Sequence, residues 1–189
     1  ATIGITGHRF LARVDRLRAG LDDVAIMLDE VFPGPWVIVS SLAEGADRLV
    51  ARRLLERPGS TLTAVLPMPA HQYEADFATA ASKAEFRRLL AGADEVIELA
   101  PRSDRTRCYE AAGLAVLDRS DAIVTVWDGD HAQGRGGTGG IVAEARRRNL
   151  PLAWVHAGNR LPGTSVATDL GVRQGMVTYE RLPPDDERP

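Results

Sequence analysis

The sequence of 189 residues has a single cysteine, few aromatic residues and no long apolar run. Because Cys108 has no second cysteine to pair with, an internal disulfide and a zinc site built on several thiolates are both excluded, and the chain suits a reducing cytoplasm. No apolar stretch approaches the roughly 20 residues that span a bilayer, and no basic segment leads into an apolar run at the start. We therefore expect a cytoplasmic protein with no membrane partner.

A strong excess of either charge is missing as well. The 23 Lys and Arg residues against 26 Asp and Glu residues give a formal net charge of −3, so the global charge offers no attraction to polyanions. On this ground we expect no nucleic-acid partner. A chain of this length buries roughly 70% of its unfolded surface, which is enough for one domain with a sizeable core.

Six short apolar runs, rich in valine and isoleucine, predict buried strands. They cover residues 3–6, 36–40, 62–66, 95–99, 122–127 and 152–156. Segments of helical periodicity lie between them, at 14–31, 46–56, 82–91, 106–118 and 140–148. This alternation predicts an α/β fold of Rossmann-like type, three layers in α/β/α order, with a mainly parallel sheet of six or seven strands.

The pattern weakens towards the end of the chain. We expect the domain to cover residues 1–160, because after Gly158 the sequence turns polar and loses its periodicity. Residues 161–189 are interpreted as a C-terminal extension. Within it, GMVTYERL is a candidate edge strand and PPDDERP a candidate disordered tail.

Distinctive segments follow the predicted strands. GHR follows the first strand, SLAEGAD the second, LPMP the third and WDGDHAQGRGGTGG the fifth. Ligands of open parallel sheets bind beyond the carboxyl ends of the strands, where neighbouring connections diverge. The four segments are therefore expected to meet at one rim.

The strongest of these signals is the glycine run GRGGTGG, from Gly134 to Gly140, which directly precedes a predicted helix. Glycines let the backbone approach an anion, and the N–H groups and dipole of a helix N-terminus attract phosphate. The alternative interpretation is a flexible surface loop without a ligand.

Two better-known phosphate motifs do not fit this run. Gly134, Gly136 and Gly139 spell GxGxxG, but the run lies several residues past its strand and no acidic residue follows about 20 positions later to hold a ribose. A Walker P-loop is absent, because no GK[ST] occurs anywhere in the sequence. A dinucleotide dehydrogenase and a P-loop ATPase are both disfavoured.

Other polar residues at the expected rim have two interpretations each. Thr6, His8 and Arg9 in GITGHR offer donors for a phosphate, or form a solvated turn. Glu44 and Asp47 in EGAD suit ribose hydroxyls, although Asp47 alternatively complements the dipole of its own helix.

WDG, from Trp127 to Gly129, ends the fifth strand with an aromatic ring and a carboxylate. These suit a base and a ribose or metal-bridged phosphate, while the alternative is a core tryptophan. Arg105 and Tyr109, on the helix that begins near residue 106, suit a phosphate and a base. Surface solvation is the alternative for the arginine.

Metal chemistry has little support in the sequence. His71, His131 and His156 are scattered, without the i, i+4 spacing of a helical metal site. Asp128 and Asp130 leave Mg²⁺ as an option only together with a phosphate ligand.

With these residues placed, the chain resembles the SLOG superfamily of Rossmann-like nucleotide-sensing domains. This superfamily includes LOG-type phosphoribohydrolases, DprA-like proteins and the cytosolic sensor domains of TRPM channels. The resemblance spans roughly residues 2–158 and depends on four signatures in order: GITGHR, EGAD, CYEAAGLAVLDRSDAIVTVWDG and GRGGTGG.

The resemblance implies a nucleotide-derived ligand such as a nucleoside phosphate or an ADP-ribose-like molecule, and a homo-oligomer, because related folds commonly dimerise through their helices. It implies that the signatures GITGHR and EGAD line the pocket and that the glycine run holds phosphate. The residues so implied are Gly4, Thr6, Gly7, His8, Arg9, Gly45, Gly136, Gly137, Thr138 and Gly139.

The chain departs from the PGGxGTxxE motif of LOG-type enzymes. No proline precedes the glycines, Gly140 replaces the threonine and Ala143 occupies the position of the active-site glutamate. Glu144 follows one residue late, which rotates it by about 100° around the helix. We therefore predict binding or sensing without catalysis. The alternative is a nucleotide N-glycosidase in which Glu144 or Asp128 is catalytic.

Overall fold

The computed structural model describes residues 1–130 and 137–183 and confirms the predicted α/β fold. The strands are β1 (Thr2–Gly7), β2 (Val37–Ser40), β3 (Thr61–Leu66), β4 (Glu95–Glu98), β5 (Ala122–Trp127), β6 (Leu152–His156) and β7 (Val177–Glu180). The helices are α1 (Val14–Val31), α2 (Ala46–Leu54), α3 (Ala70–Tyr73), α4 (Ala80–Ala91), α5 (Arg105–Leu117) and α6 (Thr138–Arg147). Two 3₁₀ turns, Glu74–Asp76 and Gly171–Arg173, complete the described elements.

The seven strands form one sheet in the order β4-β3-β2-β1-β5-β6-β7. All neighbouring pairs are parallel except β6 and β7, which run antiparallel. The candidate edge strand at the end of the chain is thus β7, hydrogen-bonded to the same sheet as the rest of the fold.

Both faces of the sheet are covered, as the continuous apolar strands require. Neighbouring residues of one strand point to opposite faces. Accordingly, Ile38 belongs to the large core cluster with Leu21 of α1, while Val39 packs with Val116 of α5 on the other side. The sheet therefore lies between two helical layers.

The first helix shows why the sequence periodicity was informative. Its buried apolar side chains, spaced three or four residues apart, include Leu17, Leu21, Val24 and Leu28, all without exposed surface. Burying four such side chains contributes on the order of 6–12 kcal/mol to the hydrophobic term before the entropy cost is counted. No helix among the described residues is long and apolar enough to cross a bilayer.

Candidate functional site

The strand order creates a crevice next to β1. From β1 the chain moves outward through β2 and β3 to β4, and it then returns to β5 on the other side of β1. The connections leaving β1 and β5 diverge at this point, which leaves an opening beyond their carboxyl ends. A cleft of about 690 Å³ lies there.

The cleft brings together most of the predicted site residues. Those that line it are Thr6, Gly7, His8, Arg9, Asp47, Trp127, Asp128, Gly137, Thr138 and Gly139. Those that lie outside its lining are Gly4, Glu44, Gly45, Gly129 and Glu144. Gly136, like His131 and Arg135, lies outside the described residues.

The turn after β1 is fastened to the end of β5. The His8 N–H donates to the Val126 carbonyl at 2.9 Å, and the largely buried His8 ring places Nε2 3.1 Å from the Asp128 N–H. Burial lowers the pKa of His8 more than the neighbouring Asp128 carboxylate raises it. Nε2 also lies 3.1 Å from Asp128 Oδ2, so the His8 ring holds both the backbone and the side chain at the start of the β5–α6 connection.

Gly4 has a packing role within the sheet. A β-carbon at this position would lie 2.2 Å from Ser120 Oγ and 2.9 Å from Val116 Cγ1, so α5 can approach β1 only where no side chain intervenes. The structure thus places Gly4 beneath α5, away from the ligand position that the resemblance implied.

Arg9 and Glu44 form an ion pair at the mouth of the cleft. Arg9 Nη2 lies 2.5 Å from Glu44 Oε2, and the Ser82 hydroxyl donates to Glu44 Oε1 at 2.5 Å. Partial burial alone would raise the pKa of Glu44, but the hydrogen bonds from Ser82 and Arg9 outweigh it and lower the pKa. Glu44 holds Arg9 in place from outside the cleft lining, where the sequence had suggested a ribose ligand.

The EGAD turn packs directly on the GHR turn. Gly45 has a φ of +81°, and a β-carbon there would lie 2.3 Å from the Arg9 carbonyl oxygen. The next residue, Ala46, donates its N–H to the His8 carbonyl at 2.9 Å. Gly45 is therefore required for contact between two protein segments, and its φ favours glycine.

Asp47 is the buried carboxylate of the cleft. Its Oδ2 accepts from the Ser40 hydroxyl at 3.2 Å and from the Ala43 N–H at 3.3 Å. Burial raises the pKa of Asp47 to about 6, against the lowering effect of these hydrogen bonds. Asp47 lies in the first turn of α2 and also lines the cleft, so both of its predicted roles fit its position.

The end of β5 combines a core side chain with a partly buried carboxylate, Asp128, and an exposed one, Asp130. Trp127 is only 2% exposed and packs against Trp154 with ring centroids 5.1 Å apart. Asp128 follows at the cleft, and its Oδ1 accepts from the Asp130 N–H at 2.9 Å. Trp127 is thus chiefly a core residue, as the alternative interpretation had it.

The N-terminus of α6 opens into the cleft. Gly137 precedes the helix in an extended conformation, and a β-carbon built on it would meet no described residue within 4 Å. The N–H groups of Thr138 and Gly139 belong to the first turn, so no acceptor inside the helix is available to them. This helix start presents donors and a partial positive charge to whatever occupies the cleft.

Glu144 lies away from this opening. Its carboxylate is bound by Arg147 at 2.6 Å and by Arg148 at 2.7 Å. The hydrogen bonds from these two arginines lower the pKa of Glu144 to about 2. A carboxylate held in this way and outside the cleft has no path to a bound ligand, and this placement disfavours the predicted catalytic role.

Several lining residues were not anticipated from the sequence. Asp76 and Phe77 follow α3 on one side, and Phe10, Asn159 and Arg160 lie on the other. The sequence pointed to the region of Asp76 and Phe77 only through the segment LPMP, which follows β3. The residues after Gly158 carry neither a glycine run nor periodicity, so no signal identified them.

Asp76 connects α5 to the rim. It accepts a hydrogen bond from the Tyr109 hydroxyl and lies 2.9 Å from Arg105 Nη1. Burial, followed by the contact with Asp76, raises the pKa of Tyr109 to about 12. Tyr109 therefore stays protonated and anchors the 74–77 turn to α5.

Metal ligands are sparse in the described parts of the chain. Within residues 1–130 and 137–183, no three His, Cys, Asp or Glu side chains converge as a metal site. Asp128 and Asp130 offer two neighbouring carboxylates, whereas Mg²⁺ requires six oxygen ligands.

Comparison with known proteins supports the fold. No protein-family model matches the chain, and no curated protein matches its sequence. DNA processing protein A from Helicobacter pylori, whose structure was described for its single-stranded DNA binding mode, has a TM-score of 0.53 and 17% identity over 80% of this chain. This chain spans 63% of that protein. The protein TM1055 has a TM-score of 0.40 and 13% identity, over 66% of this chain and 59% of its own.

The comparison corrects one expectation. We expected no nucleic-acid partner because the net charge is −3, and this prediction is wrong, since DNA processing protein A binds single-stranded DNA with the same type of fold. The net charge averages over the whole surface, whereas phosphate contacts depend on local donors. The α6 N-terminus and Arg9 place hydrogen-bond donors at the cleft, whatever the net charge of the chain.

Proposed function

We propose that this protein binds a nucleoside phosphate in the cleft between β1 and β5, with a phosphate group on the N-terminus of α6. The observation that carries this proposal is the open first turn of α6 at the topological switch point of the sheet. Helix N-termini bind anions through free N–H groups and the helix dipole, and switch points are where Rossmann-like folds bind their ligands.

The remaining lining suits the sugar and base of a nucleotide. Asp47, Asp76 and Asp128 supply carboxylate oxygens, which accept from hydroxyl groups. Phe10 and Tyr109 supply aromatic side chains to the same cleft. A volume of about 690 Å³ falls within the roughly 300–1,000 Å³ of small-molecule sites.

The proposal extends to a place within the SLOG superfamily, as a domain that binds or senses its ligand. The described residues of the signatures GITGHR and GRGGTGG border one cleft, which agrees with what that resemblance implied. An N-glycosidase would require a carboxylate near the anomeric carbon, and Glu144 is held elsewhere by Arg147 and Arg148. Binding without hydrolysis agrees better with this geometry.

A nucleoside phosphate occurs both as a free nucleotide and as one unit of a single strand. DNA processing protein A binds such a strand. The chemistry at α6 is the same for both sources, so the experiment includes both. If Mg²⁺ accompanies the ligand, Asp128 and Asp130 would hold it together with the phosphate oxygens.

The test compares two substitutions at one position. Gly137→Asp places a carboxylate at the helix start, where it competes with phosphate for the first-turn N–H groups. Gly137→Asn has nearly the same shape without the charge. Calorimetric titration would use AMP, GMP, CMP, thymidine monophosphate and a thymidine decanucleotide.

We expect at least one of these probes to bind to the wild-type protein. Gly137→Asp should weaken that probe by about tenfold or more, because a charge-assisted contact becomes a like-charge repulsion. Gly137→Asn should reduce the affinity for that probe by a smaller factor. Absence of binding by every probe, or equal affinities for the Asp and Asn variants, would overturn the proposal.

A further inference from the structure

The cleft has a second wall with a chemistry different from that of the α6 N-terminus. Asn159, Arg160, Pro162 and Gly163, in the connection between β6 and β7, line this side. Phe10, in the turn after β1, lies beside them. This part of the chain carries no recognisable motif, yet it contributes a cationic side chain to the cleft.

The backbone of this wall is held rigidly by a buried glutamine. Gln174 is 3% exposed, and its Oε1 accepts from the Gly158 N–H at 2.9 Å and the Leu170 N–H at 3.1 Å. Its Nε2 donates to the Ala12 carbonyl at 2.7 Å, which ties the connection to the segment before α1. A β-bridge between Arg160 and Ala167 fixes the strand direction at the cleft.

The Arg160 side chain is oriented by an aromatic platform. Its guanidinium carbon lies 4.8 Å from the centroid of the Phe10 ring. A guanidinium stacked on a ring keeps its N–H groups in the plane and free at the edges, so it is prepared to bind an oxyanion in bidentate fashion. This contact offsets part of the entropy cost of ordering the Arg160 side chain.

Arg160 also differs in charge balance from the other arginines near the cleft. Arg9 is paired with Glu44 and Arg105 with Asp76. No carboxylate within residues 1–130 and 137–183 forms an ion pair with Arg160. Its positive charge is thus not neutralised by the described part of the protein.

From this geometry we propose that Arg160 on its Phe10 platform forms a second anion subsite, so that the ligand carries two phosphate groups. This inference rests on the proposed function, because the first phosphate is the one at α6. Two phosphates occur in a nucleoside diphosphate and in two consecutive units of a single strand. The shared chemistry is a second phosphoryl group bound by a stacked guanidinium.

The test measures how much the second phosphate adds to binding. Calorimetric titrations would compare AMP with ADP, GMP with GDP, and thymidine monophosphate with a 5′-phosphorylated thymidine dinucleotide. The variants are Arg160→Ala, Arg160→Lys and the control Arg173→Ala. Arg173 lies in the same connection, is exposed and does not line the cleft.

In the wild-type protein and in Arg173→Ala, we expect the ligand with two phosphates to bind about tenfold more tightly than its one-phosphate counterpart. In Arg160→Ala this advantage should disappear, while the affinity for the one-phosphate ligand stays within about twofold. Arg160→Lys should retain part of the advantage, since lysine keeps the charge and loses the planar stacked donor pair. The ligand class that binds more tightly because of its second phosphate identifies the source of that phosphate, either a free nucleoside diphosphate or a single strand.

Two results would overturn the inference. One is equal binding of one-phosphate and two-phosphate ligands to the wild-type protein, and the other is an equal loss for both in Arg160→Ala. If a one-phosphate ligand binds and responds to Gly137→Asp, either result leaves the proposed function intact. If nothing binds, the proposed function itself has failed.

Discussion

Two neighbouring acidic residues of the EGAD turn have opposite electrostatic environments. Burial raises the pKa of Asp47 to about 6, whereas the hydrogen bonds from Ser82 and Arg9 overcome partial burial and lower the pKa of Glu44. Both environments follow from the position of the turn, which packs one carboxylate under the cleft and leaves the other at its mouth beside Arg9.

The raised pKa of Asp47 predicts a specific pH dependence. A carboxyl whose pKa is higher in the folded state than its ordinary 3.8 binds a proton more strongly when folded, so it stabilises the fold at low pH. This contribution is lost as the pH rises from about 4 through 6. Relative to wild type, Asp47→Asn should gain on the order of 3 kcal/mol between pH 4 and pH 7.

Urea unfolding of both proteins at half-unit pH steps would measure this difference. Asparagine keeps one acceptor oxygen for the Ser40 hydroxyl and the Ala43 N–H. Any fixed difference between the two side chains does not vary with pH, so the pH dependence of the comparison reports the charge. A difference in the free energy of unfolding that stays constant from pH 4 to pH 7 would contradict this account of Asp47.

A comparison of Arg48 with Arg52 tests how burial changes the contribution of an ion pair to the free energy of unfolding. Both contact Glu85 from α2, but the Arg48 side chain is 4% exposed and that of Arg52 is 52% exposed. Arg48 also donates to the Leu42 carbonyl and to Ser82, and it stacks on Phe77 at 4.4 Å. Arg48→Met should cost about 2–4 kcal/mol of unfolding free energy, because buried acceptors lose their donor.

Arg52→Met is the matched control and should cost less than about 1 kcal/mol, as exposed ion pairs usually do. Chemical denaturation at pH 7 measures both variants. Similar losses of unfolding free energy in the two variants would contradict the predicted effect of burial on these ion pairs.

At the scale of elements, α6 begins after a glycine, which has no side chain to cap it. Gly137 precedes the helix and makes no side-chain hydrogen bond, although its extended backbone and open surroundings would accept any residue. Asparagine and aspartate at such a position bond to the first-turn N–H groups. Gly137 thus supplies no cap to the helix start that faces the cleft.

We expect Gly137→Asn to raise the unfolding free energy of the ligand-free protein by a few tenths of a kcal/mol. Gly137→Asp should raise it by about 0.5–1 kcal/mol, since the charge also complements the helix dipole. Thermal unfolding in phosphate-free buffer provides the measurement. Destabilisation by both substitutions would mean that the helix start is already satisfied.

The elements that the sequence predicted best are those with strong periodicity. The apolar steps from Val14 to Val31 match α1, and the apolar runs at 122–127 and 152–156 match β5 and β6. The positions of GHR and EGAD after their strands were sufficient to predict a common rim. These features depend on local sequence, which is why they could be read without the structure.

The remaining features depend on contacts between distant parts of the chain. Nothing local in the residues after Gly158 shows that Gln174 reaches Ala12, or that Arg160 stacks on Phe10. Likewise, the close approach of Gly45 to Arg9 reassigned a predicted ligand glycine to packing. Packing between distant segments determines whether such a residue contacts a ligand or another part of the protein. Local sequence patterns do not show which segments pack together.

At the scale of the whole molecule, the sheet joins the predicted domain and its extension. β7 pairs with β6, and Leu182 is buried in the core cluster that also contains residues of β1 and α1. The connection between β6 and β7 supplies one part of the cleft lining, and the N-terminus of α6 supplies another. The cleft is therefore lined by residues from both sides of position 160.

The central claim, a nucleotide phosphate on the first turn of α6, is tested most directly by amide chemical shifts. In the isotope-labelled protein titrated with the best-binding nucleotide, the N–H protons of Thr138 and Gly139 should move downfield as they donate to the phosphate. Amides of β4, at the far edge of the sheet, should stay unchanged. Saturable binding that leaves the Thr138 and Gly139 amides unmoved would contradict the account.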